Sequence, residues 1–146
     1  MLLDSVQSQA NRIEAALQDA VDEGRIQIPV VEVDFSDIPV VEPGQNAEGL
    51  FEPIWRVTSL EAPHRVADAI LRDSVDKDNV PPFRKTAAGK KISFANLRNA
   101  TPLFEICPTA LLLGLWDSTG PKGGLGTKFQ RALVSEIIGV DASYGT

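Results

Sequence analysis

The run TALLLGLWDS, residues 109–118, is apolar almost throughout and is followed after Thr119 by GPKGGLGTKFQR, residues 120–131. An apolar stretch of this length, bounded by turn residues on both sides, has to be buried. It reads as a central strand, covered on both faces by the rest of the chain. The glycine-rich segment that follows has the composition of a surface loop. The sequence therefore predicts a core element that delivers a basic loop to solvent.

Two readings of that loop stand. It is a plain surface turn, or it is a cradle for phosphate. The named nucleotide motifs fail: a Walker loop needs Gly-Lys-Ser/Thr, and here Gly126 is followed by Thr127 and only then by Lys128. The dinucleotide fingerprint needs a glycine where Phe129 stands. The general physics outlasts the motifs. Gly123, Gly124 and Gly126 let main-chain N–H groups approach an anion, and Lys122, Lys128 and Arg131 supply the charge.

Elsewhere the pattern is mixed. Leu3, Val6, Ala10, Ile13, Leu17 and Val21 recur at helical spacing up to Gly24, with Gln7, Asn11, Arg12 and Glu14 on the polar face. Val31, Val33 and Phe35 alternate with Glu32 and Asp34, which predicts a half-buried strand, and residues 54–59 predict a second. A helix is expected from Pro63, with Val66, Ala67, Ile70 and Leu71 inward and Glu61, Arg65, Asp68 and Arg72 outward. Residues 36–53 and 73–91 read as irregular insertions, 91–97 as a strand, and 117–130 as the glycine-rich loop. Residues 131–140 suit a helix or a strand equally. The class is α+β, in one domain over 1–146.

Composition narrows the chemistry. One cysteine, Cys107, forms no internal disulfide and points to a reducing, cytoplasmic setting. No apolar segment is long enough to span a bilayer. The single histidine, His64, reads as a capping or surface group. Without a nucleophile elbow there is no triad, and one Cys with one His is too few for zinc. Glu32, Asp34 and Asp37 are a candidate magnesium set for phosphodiester cleavage, although Glu32 and Asp34 also suit the wet face of a strand. No cofactor is expected.

The net charge of −6 is unevenly spread. Residues 1–80 hold 6 basic and 16 acidic groups, net −10, whereas 81–146 hold 8 basic and 4 acidic groups, net +4. Arg84, Lys85, Lys90, Lys91 and Arg98 lie within one stretch free of acids. An acidic protein with such a stretch presents a local positive surface, or simply solvated loop charge. Platforms for nucleobases are sparse: Phe94, Trp116 and Phe129 suit that role or the core equally.

Five stretches in order carry a resemblance: SQANRIEAAL, VEVDFSD, TSLEAPHRVADAILRDS, PFRKT, and the long block from ATPLFEICPTALLLGLWDSTG to KFQRALVSEIIGVDA. Together they resemble the N-terminal part of the backbone subunit of Cascade, the CRISPR surveillance complex. The subtype is type I-G, formerly I-U, within the RAMP superfamily. The block over 99–142 is the most specific. The resemblance implies an RRM-like (ferredoxin-like) palm with inserted loops, incomplete here because family members continue beyond this length. It implies a non-enzymatic subunit that polymerises along guide RNA, with target DNA, further copies of itself and other Cascade subunits as partners. Carried over by position, Lys122, Gly123, Gly124, Gly126, Lys128 and Arg131 would face the guide RNA. Arg84, Lys85, Lys90, Lys91 and Arg98 would lie near RNA, target strand or a neighbouring subunit. Gln9, Asn11 and Arg12 match a stretch near the palm. Some relatives in other CRISPR types cut target RNA, so a metal-dependent ribonuclease is the alternative, and a protein-interaction module a third reading.

Overall fold

A computed structural model describes residues 1–41, 49, 52–75, 81–119 and 127–141. The chain starts with a short strand, β1 (Leu2–Asp4), and enters helix α1 (Val6–Asp22). Ser5 caps α1, its hydroxyl accepting from Ser8 N at 3.2 Å. Gly24, at φ +68°, ends the helix in the left-handed conformation expected of it. Leu3, read as the first helical residue, belongs to β1 instead, because the cap sits at Ser5.

The apolar stripe of α1 lies inward, with Ala10 buried and Ile13, Leu17 and Val21 half-buried. The polar face does not behave as expected. Glu14 and Gln18 are both buried. Gln18 Oε1 accepts from Thr58 Oγ1 at 2.6 Å, and Glu14 meets Arg65. Each buried polar group thus has a partner from a distant segment, which is what makes its burial tolerable.

β2 (Glu32–Asp34) and β3 (Arg56–Thr58) pair antiparallel, with Val33 opposite Val57 and Asp34 opposite Arg56. Both strands fall where the alternation places them. The helix expected from Pro63 is broken in two: a 3₁₀ turn over Arg65–Ala67, then α2 (Ala69–Arg72). Asp68 interrupts it by taking extended angles and capping α2, its Oδ1 accepting from Ile70 N at 3.1 Å. Val66 and Leu71 are buried as read, but so are Arg65 and Asp68, and Ile70 is exposed.

Residues 73–91 are not wholly irregular, since a 3₁₀ turn over Phe83–Lys85 leads into α3 (Ala87–Phe94), which also replaces the strand expected at 91–97. Thr86 caps α3, accepting from Gly89 N at 3.1 Å. Gly89 discourages a helix by propensity, yet only glycine fits there: a Cβ would lie 2.0 Å from the Phe83 carbonyl oxygen.

α4 (Thr101–Ile106) and α5 (Thr109–Leu112) follow, then β4 (Leu115–Asp117). The apolar run at 109–118 is therefore a helical turn and a short strand, not one strand. Both forms bury apolar residues, and an unbroken apolar run cannot tell them apart. Gly114, at φ +86°, is the joint between them. The core gathers around this joint: Val66, Ala95, Leu103, Cys107, Ala110, Leu115 and Phe129 pack together.

β5 (Thr127–Phe129) pairs with β4, and β6 (Ile137–Ile138) returns to β1. Residues 131–140 thus hold a strand rather than a helix. The class is α+β as expected, and the described strands form three separate two-stranded antiparallel sheets. Among the described residues no helix is long and apolar enough to cross a membrane.

Candidate nucleic-acid interface

The β4–β5 ribbon has a dry face and a wet face. Leu115 stands opposite Phe129, and both are buried in the core. One step along, Trp116 stands opposite Lys128. The strand period of two turns this pair away from the core, leaving Trp116 60% exposed and Lys128 exposed beside it. Asp117 opposite Thr127 is the last described pair before the connection. Asp117 Oδ1 accepts from both the amide and the hydroxyl of Thr119 at 2.9 Å, and Arg72 Nη1 donates to that hydroxyl at 2.6 Å. The departing chain is tethered before the glycine-rich segment begins. Lys122, Gly123, Gly124 and Gly126 lie outside the described residues.

Arg131 follows β5 and is exposed. Its side chain lies over Gly114, where an added Cβ would come within 3.0 Å of Arg131 Cγ. Beneath it, Arg65 donates to Glu14 through Nε at 2.6 Å and Nη2 at 2.9 Å, and to the Gly114 carbonyl through Nη1 at 3.1 Å. This cluster joins α1, the 3₁₀ turn and the ribbon. Burial pushes the Glu14 carboxyl above the ordinary glutamate range, against the opposing pull of Arg65 and, more weakly, Arg131.

The basic residues at 84–98 spread over several elements. Arg84 Nη2 lies 3.0 Å from Asp73 Oδ1. Lys85 is exposed at the end of the 3₁₀ turn, and Lys90 and Lys91 are exposed on α3. Arg98 is exposed in the turn closed by Asn96 and Asn99, with Asn96 Oδ1 accepting from its amide at 2.9 Å. Gln9 and Arg12 both donate to Asp4 Oδ2, at 2.5 and 2.9 Å, and Gln9 Oε1 accepts from Ser135 at 3.1 Å. These two side chains hold the junction of α1 with β1 and the segment leading to β6. Asn11 is exposed.

The acidic residues do not assemble as a metal set. Among the described residues no group of three or more His, Cys, Asp or Glu side chains converges to hold an ion. Glu32 and Asp34 are exposed on β2, where Arg56 faces Asp34 and Ser36 N donates to Asp34 Oδ1 at 2.8 Å. His64 is exposed and its side chain makes no capping bond, and Cys107 is fully buried.

The open question over the aromatics resolves by position. Phe129 is core, while Trp116 and Phe94 are surface, Phe94 at 72% exposure. The alternation of Leu115-Trp116-Asp117 against Thr127-Lys128-Phe129 carried this signal. Reading 109–118 as buried on both faces concealed it.

A family model described as CRISPR-associated protein GSU0053 matches residues 1–144. The chain belongs to that family. Its role is accordingly in CRISPR defence, among other CRISPR-associated components. No curated protein and no solved structure matches it. For a CRISPR-associated chain, an outward Trp–Lys pair at the base of a glycine-rich, lysine-bearing connection is a surface chemically suited to polynucleotide. An exposed aromatic ring offers a face for a base, and cations offer charge for phosphate.

Proposed function

We propose that this chain is a structural, guide-RNA-binding subunit of Cascade, type I-G, and that copies of it polymerise along the RNA. The observation that carries the reading is the Trp116–Lys128 pair. It faces outward from a ribbon anchored by Leu115 and Phe129, at the root of the segment holding Lys122 and four glycines. The ribbon belongs, in this reading, to an RRM-like palm in a cytoplasmic complex. Phosphate contact sets the affinity, and base pairing between guide and target DNA sets the specificity. The subunit itself cleaves nothing. The acidic first half of one copy meets the basic second half of the next, head to tail.

The test is the salt dependence of binding to single-stranded RNA. With about four phosphates neutralised per chain, affinity falls roughly fiftyfold between 50 and 200 mM salt. Replacing Lys122, Lys128 and Arg131 together by alanine lowers affinity equally for RNAs of unrelated sequence. A flat salt response, or a loss confined to one sequence, would refute it. Magnesium-dependent RNA cleavage abolished by Asp34→Ala would establish the ribonuclease instead.

A further inference from the structure

On the other side of β4 from Trp116 lies a groove of about 250 Å³, between β4, the 65–72 segment and α3. Its floor is apolar, built from Val66, Ala67, Ile92 and Leu115. That volume is below the roughly 300–1,000 Å³ of clefts for drug-sized ligands, so it suits one small ring system rather than an extended molecule. Lys90 and Phe94, four residues apart, share one face of α3 and both line the groove. Phe94 is 72% exposed, an aromatic ring at the wall of a groove and not in the core.

The rim is charged in an ordered way. Arg72 and Arg84 both reach Asp73, which fixes their heads at the groove. With Lys90 they set three cations against the carboxylates of Asp73 and Asp117, leaving a net positive rim. Among the described residues that line the groove Asp117 is the acid, so an anion is directed away from it, toward Arg84 and Lys90. Thr119, the last described residue before the glycine-rich segment, lines the same groove.

An apolar slot with one exposed aromatic ring and a cationic rim matches a nucleotide: a flat, largely apolar base joined to an anion. We propose that the groove receives one nucleotide of a bound single-stranded RNA, its base against Phe94 over the apolar floor and its phosphate toward Arg84 and Lys90. The assignment rests on the RNA-binding reading above, and adds to the stacking surface of Trp116 a second base-stacking position in the same chain.

The test compares two fluorescent probes of equal length and charge, an oligoribonucleotide and its abasic ribose-phosphate counterpart. Wild-type protein binds the base-bearing probe at least about fivefold more tightly, the lower end for stacking one base. Phe94→Ala removes part of that preference and leaves affinity for the abasic probe unchanged; Trp116→Ala removes a separate part, and the double substitution removes most of it. With 4-thiouridine in the RNA, photocrosslinking to wild-type protein maps to the α3 peptide holding Phe94, a result that needs no variant to fold. Equal affinity for the two probes, or crosslinks absent from α3, overturns the groove assignment while leaving RNA binding intact. Binding of neither probe fails the RNA reading itself. Reduced self-association of Phe94→Ala with unchanged RNA preference would assign the groove to a second copy of the chain.

Discussion

Arg65 and Glu14, 51 residues apart in sequence, form a buried two-pronged ion pair, with Nε to Oε1 at 2.6 Å and Nη2 to Oε2 at 2.9 Å. Their side chains are only 11% and 6% exposed. Arg65 makes the pair from a left-handed backbone conformation, φ +53°, which is unfavourable for a residue with a Cβ. Its third bond, to the Gly114 carbonyl, brings the same guanidinium to the joint between α5 and the Trp116–Lys128 ribbon. The pair thus couples the first helix to the candidate interface.

Removing one partner leaves the other charge buried without compensation. Glu14→Leu and Arg65→Met each destabilise the fold by about 3–5 kcal/mol. The double substitution is less destabilising than the sum of the two. Urea unfolding midpoints measure all three, and strict additivity would show that the two groups do not interact.

The pH response has two components of opposite sign. Burial raises the Glu14 carboxyl above the ordinary value of 4.5, so the folded state holds that proton more tightly. Its contribution is complete below the ordinary value and is lost as pH rises through the elevated one. Asp4, Asp22 and Asp73 are held low, chiefly by hydrogen bonds from Ser8, Arg56 and Arg72 respectively. Their contributions are present above the ordinary aspartate value and are lost as pH falls through the lowered ones. Carboxyl-detected NMR should find Glu14 titrating above 4.5 and these three aspartates below 3.8. The reverse order would remove the burial argument.

Three glycines rank by what a Cβ meets. Gly24→Ala meets open space and bears only the left-handed penalty, about 1 kcal/mol. Gly114→Ala adds contacts of 3.0 Å to Arg131 Cγ and 3.2 Å to the Phe129 carbonyl, for about 1–3 kcal/mol. Gly89→Ala drives a methyl to 2.0 Å from the Phe83 carbonyl and is the most damaging. Thermal melts of the three variants should follow that order.

At the ribbon, Trp116→Ala and Lys128→Ala should act differently on RNA binding. Lys128→Ala reduces the salt slope by about 0.7, one phosphate on a single strand. Trp116→Ala lowers affinity by about 1–3 kcal/mol and leaves the slope unchanged. Both residues are exposed, so folding is unaffected; a matching change of slope in both variants would deny the division of labour.

If copies associate head to tail, reversing the charge at Asp34 and Asp37 weakens self-association on RNA. Mass measurement of the assembled particle, with and without nuclease, reports the number of chains per RNA. An unchanged count in the charge-reversed variant removes the acidic surface from the interface.

What the sequence by itself determined is what local pattern encodes: helix α1 and its glycine stop, the β2 and β3 strands, the burial of Val66 and Leu71, and a basic second half. Only the tertiary structure decided which apolar run became helix, since 109–112 is buried in either form, and that Gly89 belongs inside a helix, because the reason is a carbonyl six residues back. It also decided that Glu14, Arg65 and Asp68 are buried and that Trp116 faces out. Periodicity reports which side of an element is apolar. Whether a charge is buried depends on a partner, and for Glu14 that partner lies 51 residues away, beyond the reach of any local pattern.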